Sequence, residues 1–348
     1  MKTKQKKIKN VRAKQKVNSK INTARAAISP TPKKFSVFVP ADVPKSRADE
    51  FIKNYLAATH GIGRMALFAG DQRIEHLNDD FVGPEVSKDD ADPEHFFRIA
   101  SQANISCFAS FIGLISRYGA KYPKVPYVVK LNAKTNLIKT AQRDPLSLAH
   151  ASVEEVVRFK KDSGLNIVGI GYTIFLGSEF EAEMLTEAGH AIREAHQNGM
   201  FMILWIYPRG KAVLKERDPH IIAGATGVAN SLGADFVKVN YPKRDDAGKN
   251  YGSKERAEEF KEAIRAAGNT KVICVGGDKM SAKGFLEQLW DQIHISGASG
   301  NATARNLHER DLAEAVRLAD AIYAVTIEDK SVDEAMKIYN KVPSKPVI

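Results

Sequence analysis

Cysteine is nearly absent: Cys107 and Cys274 are the only two in 348 residues, each inside an apolar, strand-like run. That excludes a disulfide framework and fits a reducing compartment, so a cytoplasmic location is expected. Long apolar runs are missing as well. None approaches the roughly 18 residues that a spanning helix needs. Acid is missing from one region only. Residues 1–41 hold 12 Lys and Arg with no Asp or Glu, leaving 40 basic against 41 acidic residues in the remainder. The net charge of +11 therefore belongs to a tail, and a nucleic-acid-binding globular body is excluded.

Residues 1–34 are lysine-rich, lack aromatics and show no sustained apolar period, which reads as a disordered tail preceding a domain at 35–348. They also lack the apolar stretch of a secretory signal. A polyanion-binding arm (nucleic acid included), a targeting presequence and a plain solvated extension all remain open for them. Metal chemistry has little support. The nine histidines do not cluster on strand ends, and His190 and His196 lie six apart on a helix, which is wrong for a shared ligand face. Glu75-His76 reads as a hydrogen-bonded loop. No metal and no cofactor are expected.

Strand and helix signals alternate through the body. Strand-like runs fall at Met65–Asp71, Ile105–Phe111, Val125–Asn132, Ile167–Phe175, Met200–Pro208, Ala234–Asn240, Lys271–Gly277 and Gln292–Gly297. Their mostly continuous apolar character suits strands covered on both faces. Helical patterns lie between them. Asp49–Ala58 precedes the first strand, and Val153–Phe159 leads to a stop at Gly164. Ser178-Glu179-Phe180-Glu181 reads as a capping box opening a helix that ends at Gly199. Further patterns run from Ala257 to Ala267, Asp311 to Tyr323 and Val332 to Tyr339. Eight strands alternating with helices favour an α/β fold of the (β/α)8 TIM-barrel type. An open doubly wound sheet would want a phosphate loop after its first strand, and Gly70-Asp71-Gln72-Arg73 is not one.

Barrel chemistry sits at the C-terminal ends of the strands. There the sequence offers Asp71, then Lys130 and Asn132 on one face of the third strand, and Trp205 and Tyr207 on one face of the fifth, followed by Arg209. Lys238 lies in the middle of the sixth, on the face shared with Phe236 and Asn240. A lysine inside a parallel sheet is costly. It is either a paired structural lysine or an amine whose lowered pKa lets it attack a carbonyl. Lys130 could supply a second ammonium that lowers it. Tyr207 and Asp71 suit proton shuttling, and Trp205 suits a pocket wall. Gly276, Gly277 and Lys279 follow the seventh strand; Gly297, Ala298, Gly300 and Arg305 are assigned to the end of the eighth. Glycines there would let backbone N–H groups approach a phosphate. Arg209 reads as a second anion contact or a surface ion pair.

From about Arg64 to Arg310 the chain resembles the archaeal-type class I fructose-bisphosphate aldolases, with deoxyribose-phosphate aldolase a distant relative. The resemblance rests on Val129-Lys130-Leu131-Asn132 with Lys134-Thr135, on Gly171-Tyr172-Thr173-Ile174 with Gly177-Ser178-Glu179, and on Trp205 through Gly210. It continues through Gly233 to Lys238, Gly276-Gly277, Gly297-Ala298 and Arg305-Asn306. It implies a metal-independent Schiff-base mechanism, with reversible cleavage of fructose 1,6-bisphosphate to dihydroxyacetone phosphate and glyceraldehyde 3-phosphate. By resemblance, Lys238 is the imine lysine, Tyr207 the acid/base with Trp205 beside it, and Asp71 the aspartate ending the first strand. The last two strand ends with Arg305 form its phosphate site. A homo-oligomer, up to a ring of ten, is implied too. Departures are Gln72-Arg73 where many members have His-Gly, and Ala304 where a glycine often precedes Arg-Asn. Sister enzymes of the branch, an amino-deoxy-heptulosonate synthase or a phosphorylated-dione thiolase, remain alternatives. So does a polyanion-binding protein with a passive barrel.

Overall fold

The computed structural model describes residues 35–78, 80–243 and 252–341. The expected tail at 1–34 lies outside the described residues. Eight parallel strands close into a barrel in sequence order: β1 Met65–Ala69, β2 Cys107–Phe111, β3 Tyr127–Lys130, β4 Ile167–Leu176, β5 Phe201–Pro208, β6 Phe236–Val239, β7 Lys271–Val275 and β8 Gly300–Thr303. Twelve α-helices accompany them among the described residues. These are α1 Ala48–Thr59, α2 Gln72–Glu75, α3 Glu94–Gln102, α4 Ile112–Tyr118, α5 Val153–Ser163, α6 Glu181–Gln197, α7 Pro219–Leu232, α8 Ser253–Ala266, α9 Ala282–His294, α10 Arg305–His308, α11 Leu312–Thr326 and α12 Val332–Tyr339. None is long and apolar enough to cross a membrane.

Two apolar layers follow from strand alternation. Val237, Val239 and Tyr241 face the helices, whereas Phe236 joins Met65, Leu67, Ile203 and Trp205 inside the barrel. The N-terminal mouth is stoppered. Phe51, Tyr55 and Ala58 of α1 pack into the inner layer, and the Tyr55 ring stacks 5.1 Å from Phe236 and 6.1 Å from Phe35. The C-terminal mouth is left open.

Six strands fall within the expected segments, and β4 overruns its own by one residue, to Leu176. The eighth lies outside its own. Gln292 to His294 are the last turn of α9, where Phe285, Leu286, Leu289, Trp290 and Ile293 repeat at helical spacing and are all buried. The strand proper, Gly-Asn-Ala-Thr, lacks any aliphatic run. It is a strand because it pairs with Met65–Phe68 on one side and Cys274–Val275 on the other. The capping box at Ser178 also fails as expected. Helix α6 starts at Glu181, and the Ser178 hydroxyl donates to the Pro145 carbonyl at 2.6 Å. Helices α2, α3, α7, α9 and α10 had no sequence assignment. Helix α7 is rich in Gly and Ala and weakly striped, although Asp218 caps it and Pro219 opens it.

Candidate active site

At the open mouth lies a cavity of about 740 Å³. Asp71, Glu75, Tyr207, Lys238, Gly276, Gly277, Lys279 and Arg305 line it, together with Arg209. Strand register explains the central group. Trp205 of β5 is the lateral partner of Lys238 in β6, so both side chains project inward at one level.

The two buried lysines have opposite surroundings. Lys130 Nζ donates to Asp71 Oδ2 at 2.6 Å and to Glu75 Oε1 at 2.7 Å. Burial acts to lower its pKa, but the charges and hydrogen bonds of Asp71 and Glu75 outweigh that and raise it. Lys238 is 5% exposed, and among the described residues no hydrogen bond or ion pair holds its Nζ. Its Nζ lies 5.3 Å from the Trp205 ring centroid. Burial, with the Lys130 charge, draws its pKa below the ordinary lysine value against the opposing pull of Asp71 and Glu75. One lysine is thus a fixed cation and the other an amine biased towards its neutral, nucleophilic form.

The acid–base partners differ just as clearly. Burial favours the neutral form of Asp71, yet Lys130 and Lys238 overcome it and bring the carboxyl to about 2. Burial, then the charges of Glu75 and Asp71, push the Tyr207 phenol well above its usual value and keep it protonated. Trp205 forms the inner wall; its indole Nε1 is buried and, among the described residues, has no partner.

Of the other expected residues, Asn132 is a strut. Its amide donates to the Ser147 and Thr173 carbonyls at 2.7 and 2.8 Å, and its oxygen accepts from the Thr173 N–H at 2.6 Å. Arg209 lines the cleft but makes a forked ion pair with Glu216 at 3.0–3.1 Å. Lys279 donates to the Glu85 carbonyl at 2.5 Å and to Glu309 O at 3.3 Å. Arg305 stays near the mouth, held by Asp278 at 2.9 Å.

Gly297, Ala298 and Gly300 are displaced from the role expected of them. Gly297 and Ala298 precede β8 and Gly300 opens it, so all three lie at the N-terminal mouth, opposite the cavity, because the eighth strand begins where it was expected to end. Gly300 is glycine for another reason: at φ +134° a Cβ would meet the Met65 carbonyl oxygen at 2.0 Å. The strand end facing the cavity is Ala304-Arg305. Gly276 does face the cavity, packed so closely that a Cβ would sit 3.2 Å from Thr303 Cα.

Sequence reasoning missed Glu75 as a member of the site. Its signal was there: four residues after Asp71, one helical turn away. Arg217 and Lys134 were also missed as lining residues, being on loops and turns without a period, whereas Gln72 was singled out only through the resemblance, as altering one substrate contact. Among the described residues no group of three or more His, Cys, Asp or Glu is arranged to hold a metal ion. Several histidines are instead paired with single carboxylates or bridge two groups, as His196 does between Asp42 and Asp235, where it is buried.

A closed parallel barrel with an unpaired buried amine beside a paired one, at the base of a cation-rich cleft, defines the class of lysine-bearing barrel lyases. The chain belongs to the DeoC/LacD family of aldolases, whose match covers residues 65–310. A Methanocaldococcus jannaschii fructose-bisphosphate aldolase/6-deoxy-5-ketofructose 1-phosphate synthase is 56% identical over 307 residues, covering 88% of this chain and 96% of that protein. A Thermoproteus tenax class 1 fructose-bisphosphate aldolase is 32% identical, covering 79% of this chain and 94% of its own length. Among solved structures, a fructose-bisphosphate aldolase from Slackia heliotrinireducens matches with TM-score 0.85 and 51% identity, covering 92% of this chain and 98% of that one. An archaeal fructose-1,6-bisphosphate aldolase, solved with its catalytic Lys covalently bound to a carbinolamine intermediate, matches with TM-score 0.66 and 30% identity, over 81% of this chain and 99% of that one.

Proposed function

We propose that this protein is a class I fructose-bisphosphate aldolase that forms its imine on Lys238. The observation carrying this reading is the unpaired, buried Nζ facing a cleft rich in Lys and Arg. Lys238 attacks the C2 ketone of the phosphorylated ketose, and loss of water from the carbinolamine gives the imine. Removal of the C4 hydroxyl proton then breaks the C3–C4 bond, and the electron pair is taken up by the iminium as an enamine. Asp71 and Glu75 are placed to accept protons, and Tyr207 to donate them. Hydrolysis of the reprotonated imine frees dihydroxyacetone phosphate. Arg305 and the Gly276-Gly277 turn bind one phosphate of the substrate, with Arg209 and Arg217 on the far rim for the other. Lys130 keeps a positive charge near Lys238 throughout.

A second reading is favoured by the 56% identity to the two-activity relative. Carbons 1–3 of 6-deoxy-5-ketofructose 1-phosphate are a dihydroxyacetone phosphate unit. The same enamine would therefore make that product by attacking 2-oxopropanal instead of glyceraldehyde 3-phosphate. Both readings share the Lys238 chemistry and differ only in the aldehyde accepted.

Incubation with dihydroxyacetone phosphate and borohydride, followed by peptide mass mapping, tests the shared step. A reduced adduct on Lys238 is expected; label on another lysine, or none in an active preparation, overturns the assignment. Comparing kcat/KM for fructose 1,6-bisphosphate cleavage with that for condensation onto 2-oxopropanal then separates the two readings.

A further inference from the structure

Behind the first strand end lies a buried relay that the reaction above does not use. Gln72 lines the cleft, and its side-chain Oε1 sits 2.8 Å from His308 Nε2. His308 Nδ1 in turn lies 2.6 Å from Asp90 Oδ2. Both His308 and Asp90 are 0% exposed, with the imidazole packed 4.7 Å from the Phe96 ring. Three distant segments are thereby joined: α2, the 3-10 turn Lys88–Ala91 and α10.

Facing a carbonyl oxygen, His308 Nε2 must carry a proton. That fixes the Gln72 amide with its oxygen inward and its NH2 towards the cleft. Among the described residues nothing accepts from that NH2. We infer that Gln72 is a specificity-determining donor to the bound sugar phosphate, held NH2-outward by the relay from Asp90 through His308. This rests on the aldolase reading and adds a residue to it.

Orientation depends on the proton that Asp90 and His308 share. While it is present, Nε2 donates to Gln72. Once it is lost, the Asp90 carboxylate requires the remaining imidazole proton on Nδ1, so Nε2 becomes an acceptor. The amide then turns over and shows its carbonyl to the cleft. Burial raises Asp90 to about 7, and burial lowers His308 to about 3, so the proton leaves near neutrality. The charged groups facing the pair are Arg73 within α2 and His76 just after it, Asp80 beyond them, His95 on α3, Lys279 after β7, Arg305 opening α10 and Glu309 just after α10. Burial lowers the His95 pKa, and its Nε2 donates to the His308 and Arg310 carbonyls.

The test is KM and kcat for fructose 1,6-bisphosphate across this range, in the full chain. In the wild type, KM should rise about ten-fold as pH passes upward through about 7, with little change in kcat. Asp90→Asn keeps a permanent donor to Nδ1, so its KM should stay at the low-pH value throughout. Gln72→Glu still accepts from His308 but offers only oxygen to the cleft; its KM should be about ten-fold high at every pH. A wild-type pH step surviving in Asp90→Asn, or an unchanged KM in Gln72→Glu, overturns the relay. Should Asp90→Asn not fold, Gln72→Met decides: a raised KM without the step supports the proposal, a normal one ends it. Borohydride trapping is run alongside. A wild type that forms no Lys238 adduct sinks the aldolase reading, whereas normal trapping with unaltered KM in Gln72→Glu sinks only this inference.

Discussion

Lys130 and Lys238 place their Nζ atoms at the same 5.3 Å from the Trp205 ring centroid, yet only Lys130 is ion-paired. Against burial, ion pairing raises the pKa of one ammonium, while burial and that nearby charge lower the pKa of the other, and the proposed imine chemistry on Lys238 uses this difference.

Lys238→Met should abolish turnover and borohydride trapping while leaving stability within about 1 kcal/mol of wild type, since no partner is orphaned. Thermal melting and trapping on the same sample check both halves. A variant that still turned over would require another nucleophile.

Lys130→Met should behave differently. It leaves Asp71 and Glu75 as carboxylates facing each other without their counter-ion, a loss of about 3–5 kcal/mol. The pH dependence follows with a definite sign. Asp71 falls from 3.8 to about 2 on folding, so its contribution is complete above 3.8 and is lost as pH falls through about 2. Denaturant titrations at acid pH should show that loss in the wild type and not in the variant.

Tyr207→Phe should slow cleavage by about 10²–10⁴ and still permit imine reduction on Lys238, because the proton donor is lost but the amine is not. Single-turnover rates and adduct yields separate these effects. Unimpaired turnover would move the acid role elsewhere.

Asn132→Ala should be a stability variant. The buried N–H and carbonyl of Thr173 lose their partner, at about 1–3 kcal/mol each, while the Ser147 carbonyl keeps the Tyr172 hydroxyl. Chemical denaturation measures the drop. A raised KM with normal stability would instead make Asn132 a substrate contact.

A chain beginning at Phe35 should retain aldolase activity, because the stopper built from Phe35, Phe51 and Tyr55 is kept. Any polyanion retention by the full chain should be lost with the removed residues and fall steeply with salt. Heparin chromatography alongside the activity assay reads both.

Local patterns carried much of this in advance. Continuous apolar runs mark seven strands, and alternation within β5 and β6 gives Trp205 and Tyr207 one shared face and Lys238 the face of Phe236. These properties are legible because strand periodicity and the cost of burying an amine are local facts. The four residues Gly300–Thr303, without an aliphatic run, became β8 only through pairing with β1 and β7, and that shift carried Gly297, Ala298 and Gly300 to the opposite mouth. The partners of each charge were likewise decided by tertiary contact. Nothing in sequence says that Lys130 meets Asp71 and Glu75 while Lys238 meets no carboxylate, or that Asp90 reaches Gln72 through a histidine 218 positions along the chain from it. Pairing depends on separations of a few ångströms between remote segments, and only the closed barrel sets those.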